Sequence, residues 1–140
     1  GRLDLNSTGL MLLTNDGRWS RAISRPEENI TKTYRVRLAQ PLTPDYVSAF
    51  EQGMHFAFED AWTRPAQLRI LSEFEAEVDL VEGRYHQIKR MFGRFRNQVL
   101  ALHRVAVGPL QLDPALTPGE YRSLTPTELQ ATTKSRGQTP

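Results

Sequence analysis

The 140-residue sequence contains no cysteine, which excludes disulfides, thiolate metal sites and cysteine nucleophiles. It has only three histidines, His55, His86 and His103, and none of them forms the short-spaced pairs that are typical of zinc sites. We therefore expect no metal site in this protein.

Long hydrophobic runs are also missing. No apolar run approaches the roughly 20 residues that a membrane-spanning helix requires, and the first residues lack the basic and apolar regions of a secretory signal. A chain of 140 residues is long enough for one domain with a hydrophobic core and too short for two comfortable ones. The sequence predicts a soluble, cytosolic, single-domain protein.

Acidic residues are absent from residues 83–112, which nevertheless contain six of the 18 basic residues. The rest of the chain holds twelve basic and sixteen acidic residues, so the net charge of +2 hides an uneven distribution. Such a concentration of positive charge costs self-repulsion, which a polyanion such as RNA or DNA would relieve. A basic face can also be merely solvated, so the charge alone leaves both interpretations open.

Within this stretch the apolar residues recur at i, i+3, i+4 and i+7, which predicts a helix that packs by one face. These apolar residues are Ile88, Met91, Phe92 and Phe95. The opposite face of the predicted helix carries His86, Arg90 and Arg94.

The remaining periodicity predicts a mixture of strands and helices. Helices are expected around residues 19–23, at 41–53, and after Thr125, which with Glu128 forms a capping box. Strands are expected at 32–38, 68–71, 76–81, 98–107 and 120–124, a hairpin or loop at 54–65 and a loop at 109–119. Residues 134–140 are expected to be a disordered tail.

The first seventeen residues hold the best candidate for chemistry. Arg2 and Asp4 lie two residues apart, which places both charges on one side of an extended backbone. Residues 6–9 predict a tight turn, and residues 10–13 predict a short buried strand that ends in a second turn at 15–17. A carboxylate at a strand edge can act in catalysis, but aspartates near turns also commonly accept hydrogen bonds from their own backbone.

Three segments resemble motifs of the pseudouridine synthases of the RsuA type. The pattern G-R-L-D, T-x-G-L and T-x-D-G of motif II is matched in register within residues 1–17. Residues 82–91, E-G-R-Y-H-Q-I-K-R-M, match motif III, E-G-R-Y-H-Q-V-K-R-M, almost residue for residue. Lys32-Thr33-Tyr34 matches the K-x-Y element, and Leu102-His103-Arg104 matches a further element.

The resemblance implies a role for each matched residue. Asp4 would be the catalytic residue, Lys89 would pair with it, and Tyr34 and Ile88 would enclose the target base. Arg2 would fill the space that the base leaves in the RNA helix. Further RNA contacts are expected from Arg84, His86, Arg90, Arg94 and Arg104. The sequence departs from the family at Arg96, where a glycine is usual, and we expect Asn97 to provide the left-handed residue instead.

The resemblance also implies an α+β fold, the pseudouridine synthase fold, in which a mixed, largely antiparallel sheet is flanked by helices around a central catalytic cleft. Residues 1–133 would form the catalytic domain. Because the chain opens on Gly1 inside motif II, we expect that the first part of this domain and an S4-type RNA-binding domain are missing upstream.

The implied activity is the isomerisation of uridine to pseudouridine in RNA, with 16S ribosomal RNA, free or in a partly assembled small subunit, as substrate. This chemistry requires no cofactor or metal, and we expect a monomer. The main alternative is a catalytically silent RNA-binding module that acts in ribosome assembly. A glycosidase that uses Asp4 and Asp16 is a weaker alternative, because it would not explain the basic stretch.

Overall fold

A computed structural model of the chain describes residue 3 and residues 7–24, 30–84 and 86–134. Arg2, Asp4 and residues 135–140 of the predicted tail lie outside the described residues, whereas residue 134, the first of that tail, ends the last helix. The elements are β1 Thr8–Gly9, α1 Gly17–Ser24, β2 Lys32–Leu38, α2 Pro44–Gln52, β3 His55–Phe56, β4 Ala61–Trp62, β5 Gln67–Ser72, β6 Glu75–Leu80, α3 Gln87–Gly93, β7 Val99–Val107, β8 Leu110–Gln111 and α4 Pro126–Lys134. None of these helices is long and apolar enough to cross a membrane.

The main sheet has the strand order β1-β7-β2-β6-β5, and β8 pairs with β7. β1 runs parallel to β7, whereas the other pairs are antiparallel. This confirms the prediction of a mixed, largely antiparallel sheet with helices. β3 and β4 form a separate two-stranded hairpin, so the hairpin is the correct one of the two alternatives, hairpin or loop, predicted for residues 54–65.

The main hydrophobic core lies between one face of the sheet and helices α2 and α3. Val36 on β2 and Val78 on β6 are fully buried there against Phe50 of α2 and Phe92 of α3. The alternate residues of β2 point the other way, as the period of two requires. On that open face Arg69 forms ion pairs with Glu77 and Asp79.

The segment after β1 differs from the prediction. Thr8 and Gly9 pair with His103 and Arg104 of β7, so they form a strand rather than part of a turn. Residues 10–13 do not form a buried strand. Leu10 and Leu12 pack against a second, smaller core cluster, while the side chains of the intervening Met11 and Leu13 are exposed. A half-buried extended segment alternates in this way, and four consecutive apolar residues concealed the alternation.

The turn after helix α3 also differs from the prediction. Arg96 itself adopts the left-handed conformation, with φ 56°, and Asn97 is buried instead. The Asn97 side chain accepts a hydrogen bond from the Gln40 amide at 2.8 Å and donates to the Gln40 carbonyl and the Tyr46 hydroxyl at 3.0 and 3.1 Å. The buried Asn97 side chain therefore links the turn after α3 to Gln40 and to Tyr46 of α2. The left-handed backbone conformation falls instead on Arg96, whose side chain is exposed.

In the C-terminal part of the chain, one prediction is confirmed and two are wrong. Thr125 and Glu128 form the expected capping box, with each backbone N–H donating to the other side chain. The predicted strand at 120–124 is absent, and Tyr121 is 89% exposed. The predicted loop at 109–119 contains the short strand β8, which continues the antiparallel pairing from β7.

The ionised Glu128 of the capping box makes the stability of the protein dependent on pH. Hydrogen bonds from Arg122, and then from the Thr125 amide, lower the pKa of Glu128 to about 2. A carboxylate whose pKa is depressed by folding stabilises the protein above its ordinary pKa, and this contribution is lost as the pH falls through the folded value. We expect Glu128→Gln to be less stable than wild type at pH 7, and the difference to vanish between pH 4.5 and about 2. Urea unfolding followed by circular dichroism across this range measures the difference, and a difference that stays constant down to pH 2 would contradict the assignment.

Candidate active site

The segment that follows Asp4 in sequence is fixed on strand β7. The Leu10 amide donates to the Arg104 carbonyl at 2.8 Å. The Arg104 guanidinium returns two hydrogen bonds to the Leu10 carbonyl, at 2.9 Å from Nε and 2.7 Å from Nη2. Gly9 has a φ of 126°, and a Cβ at this position would overlap the backbone of Arg104. Motif II therefore requires glycine at this position because the two strands approach each other so closely.

Tyr34 and Ile88 lie in one region of the core. Ile88 is buried on α3 and belongs to the main cluster, and the half-buried Tyr34 packs against the same cluster from β2. Lys89 follows Ile88 on α3 and is half-buried. The K-x-Y element and motif III, which are almost 50 residues apart in sequence, thus both contribute to the main core.

Glu82, the first residue of motif III, has a structural role that the sequence did not reveal. Its carboxylate is buried and accepts hydrogen bonds from the Arg64 amide at 2.6 Å and from Arg84 Nε at 2.8 Å. Gln87 donates to the same carboxylate at 3.4 Å. A buried carboxylate with several donors fixes the chain where it enters α3. Charge counting could have signalled this role, because Glu82 stands immediately before the acid-free stretch.

Two arginines of the predicted basic face make specific contacts with the β3–β4 hairpin. Arg90 forms a bidentate pair with Glu59, at 2.6 and 2.7 Å, and its guanidinium lies 3.8 Å from the centre of the Phe56 ring. This hydrogen-bonded pair lowers the pKa of Glu59. Arg94 donates to the His55 carbonyl at 2.8 Å. These contacts leave the basic face only partly available to solvent. The sequence did not indicate them, because they involve segments that are distant along the chain.

Arg104 is also placed differently from the expectation of a phosphate contact. Its side chain is only 3% exposed and is engaged with the Leu10 carbonyl. This is the geometry of a residue that positions motif II, and it offers very little surface to a phosphate. Of the other predicted RNA contacts, Arg84 and His86 are half-buried, and His86 has a left-handed backbone just before α3.

Lys32 and Arg104 bring two positive charges to one cavity. The cavity is small and is also lined by Leu12, Trp19 and Ile23. Burial lowers the pKa of Lys32, and repulsion from Arg104 adds to this effect. Lys32 matched the K-x-Y element, but the sequence did not indicate that it would meet Arg104. Among the described residues, no group of three or more histidine, aspartate or glutamate side chains could hold a metal ion.

The sequence of the chain matches a known protein family. The family model described as RNA pseudouridylate synthase matches residues 1–93, a range that includes Asp4, Tyr34 and Lys89. The chain belongs to the RNA pseudouridylate synthase family. The match covers motif II, the K-x-Y element and motif III, so the resemblance of these segments is confirmed as membership of the family.

Relatives agree with this assignment over most of the chain. The chain is 53% identical to ribosomal small subunit pseudouridine synthase A of Pseudomonas aeruginosa over 129 residues, which are 92% of this chain and 56% of the relative. It is 47% identical to the protein of the same name from Vibrio cholerae, with the same two shares. The chain therefore spans little more than half the length of these relatives.

A solved pseudouridylate synthase has the same fold. Its crystal structure superposes on this chain with a TM-score of 0.92 at 45% sequence identity, over 94% of this chain and 57% of the other. The predicted pseudouridine synthase fold is confirmed. In this family member, β7 pairs along one edge with β1 of motif II and along the other with β2, which begins with the K-x-Y element.

Proposed function

We propose that this chain is the catalytic part of an enzyme that isomerises uridine to pseudouridine in small-subunit ribosomal RNA. The observation that carries the proposal is that motif II and motif III are both present in a chain of this family, with motif II paired to strand β7 and motif III packed on the main core through Ile88. The two named relatives are both small-subunit pseudouridine synthases, which supports 16S ribosomal RNA as the substrate.

The reaction breaks the bond between ribose C1′ and uracil N1 and forms a bond between C1′ and C5. The proton on C5 is lost and N1 becomes protonated, so no oxidant, metal or cofactor is needed. In the proposal, the Asp4 carboxylate acts on the sugar or the base. The pocket holds the freed uracil while it turns, so that it reattaches instead of escaping.

Tyr34 and Ile88 would enclose the uracil from β2 and α3. The target base must leave its helix to reach such a pocket, and stacking against a ring and an apolar side chain offsets part of the lost base stacking. Arg2 would take the place that the base leaves. The half-buried Tyr34 packs against the cluster that contains the buried Ile88, which supports this role.

The proposed RNA surface includes Arg84, His86, Arg90 and Arg94 around the start and the exposed side of α3. Arg90 would serve it mainly by keeping the hairpin in place, given its bidentate pair with Glu59. We assign Arg104 to the positioning of motif II. Residues 1–133 would belong to the catalytic domain of a monomeric, cytoplasmic protein whose substrate is the RNA or a partly assembled small subunit.

The test is to incubate the protein with transcripts of small-subunit and large-subunit ribosomal RNA and to map pseudouridine in each. We expect one modified uridine in the small-subunit RNA and none in the large-subunit RNA. Modification of the large-subunit RNA alone would contradict the substrate. RNA binding without any pseudouridine would instead favour the catalytically silent binding module.

In this proposal the ammonium group of Lys89 lies close to the Asp4 carboxylate and keeps it ionised. A carboxylate that is removed from water favours its protonated form unless a cation lies nearby. We expect Lys89→Met to shift the acid limb of the pH profile for turnover to higher pH, because Asp4 would then remain protonated over a wider range. Single-turnover rates at saturating RNA across a pH series measure this shift.

Lys89→Arg is the matched control, because it keeps the charge while changing its shape. It should retain much of the activity and leave the acid limb in place. If Lys89→Met turns over like wild type with an unmoved acid limb, Lys89 does not act on Asp4 and only contributes charge to the α3 surface.

A further inference from the structure

The β3–β4 hairpin presents two aromatic rings to solvent. Its strands pair His55 with Trp62 and Phe56 with Ala61. Phe56 is buried, so one face of the hairpin belongs to the core, whereas Trp62 is 64% exposed and Phe58, in the connecting turn, is 96% exposed. Two large rings on one short hairpin are an unusual amount of apolar surface to leave in contact with water.

The hairpin is nevertheless firmly held. At its base the Met54 amide donates to the Thr63 hydroxyl at 2.8 Å, and the Thr63 amide donates to the Met54 carbonyl at 2.8 Å. At its tip Glu59 is bound by Arg90. Arg94 reaches its first strand, and Arg84 lies 3.4 Å from the Trp62 carbonyl oxygen. The basic residues of motif III and α3 therefore act together to fix the hairpin, which makes the exposed rings part of a defined surface.

The surroundings of the rings favour a negatively charged partner. Phe58 borders an open hollow together with Glu59, Arg84 and Arg90. The carboxylates of Glu59 and Glu82 are each paired with an arginine, Arg90 and Arg84 respectively. The remaining acid of the hairpin, Asp60, lies 2.9 Å from His55. The exposed Arg64 lies two residues after Trp62, and the exposed Arg94 contacts the hairpin at the His55 carbonyl, so both add positive charge.

We propose that Phe58 and Trp62 form a stacking surface for unpaired bases of the ribosomal RNA that flank the target uridine. The combination of exposed rings with arginines is the one that binds single-stranded nucleic acid, because rings stack on bases while cations meet phosphates. The position of the hairpin supports this partner, since Arg90, which holds its tip, follows Lys89 directly on α3. This inference rests on the proposed function and adds to it a surface that selects the RNA around the target.

The experiment compares Phe58→Ala and Trp62→Ala with the matched control Tyr121→Ala, which removes a ring of similar exposure in a different part of the fold. Each protein acts on a small-subunit ribosomal RNA transcript and on a set of transcripts that carry one abasic site near the target uridine. Thermal unfolding confirms that each variant is folded. We expect each hairpin variant to raise KM about tenfold, the size typical of one stacked base, with kcat unchanged, and the control to behave like wild type.

The abasic transcripts identify the contact. At one or two positions the loss of the base should raise KM for wild type and should have much less effect on the hairpin variant that lacks the corresponding ring. If every abasic site affects wild type and variants equally, the rings do not stack on bases. An unchanged KM in both variants would also overturn the proposal. So would an effect that appears only with assembled particles, because the rings would then contact a protein.

The proposed function can fail separately from this inference. If wild type forms no pseudouridine, the activity assignment fails. Equilibrium binding of the same intact and abasic RNAs, with Kd in place of KM, still decides whether the hairpin stacks on bases. If wild type modifies the RNA and the hairpin variants match it in KM, the hairpin proposal alone is overturned.

Discussion

Asp4→Asn is expected to abolish pseudouridine formation and to leave the affinity for RNA nearly unchanged. The amide keeps the size of the side chain but cannot supply the negative charge that the isomerisation requires. Binding is distributed over many contacts to phosphates and bases, so the loss of one carboxylate should change it very little. The measurement is single-turnover pseudouridine formation at saturating RNA, together with the dissociation constant for the same transcript.

Asp16→Asn is a matched control from the same motif. Asp16 accepts hydrogen bonds from the amides of Arg18 and Trp19 at 3.0 and 3.3 Å, so it caps helix α1. Asparagine caps helices about as well as aspartate, and we therefore expect Asp16→Asn to keep both stability and turnover. Measurable turnover by a clean Asp4→Asn preparation would remove Asp4 from the chemistry. Equal loss in both variants would indicate that motif II tolerates no change of charge.

Gly9→Ala should have the largest effect on the fold around motif II. Gly9 adopts a φ of 126°, and an added Cβ would overlap backbone atoms of Arg104 rather than a mobile side chain. Neither strand can yield without breaking the pairing of β1 with β7. We expect a loss of about 3 kcal/mol or more in the free energy of unfolding. Turnover should fall by about 100-fold or more in the protein that remains folded, because small displacements of catalytic groups have effects of this size.

Gly93→Ala is the control for this substitution. Gly93 ends helix α3, and a Cβ there would meet no atom of the described residues within 4 Å. Alanine is the better helix former, so this variant should be equal to or more stable than wild type by up to about 1 kcal/mol. Urea unfolding of both variants, with turnover measured where each is folded, separates the effects. A Gly9→Ala protein with wild-type stability and turnover would show that β1 does not depend on this close approach.

The regular parts of the fold could be predicted from the sequence because their patterns are local. β2 alternates apolar and basic residues, and α3 repeats its apolar residues at helical spacing. Each pattern can be recognised without knowledge of the rest of the fold. The motif matches then identified Tyr34, Ile88 and Lys89, and the structure places the first two in one cluster. The catalytic assignments of these residues remain predictions.

Contacts between residues that are far apart in sequence could not be predicted from local patterns. Arg104 looked like a surface cation, yet its guanidinium is used by the Leu10 carbonyl, 94 positions away in sequence. Arg90 is matched to Glu59 across 31 positions. Asn97 looked like a turn residue because its hydrogen bonds to Gln40 and Tyr46 cannot be seen in the local sequence. The same limitation hid the hairpin surface, since exposure of Phe58 and Trp62 depends on which face of the hairpin meets the core.

The most direct measurement of the central claim is a map of pseudouridine in small-subunit ribosomal RNA from cells in which the gene for this chain has been inactivated. The account predicts that one uridine of the 16S RNA remains unmodified, that the wild-type gene restores the modification, and that the Asp4→Asn gene does not. An unchanged set of pseudouridines in the inactivated strain, or full restoration by Asp4→Asn, would contradict it.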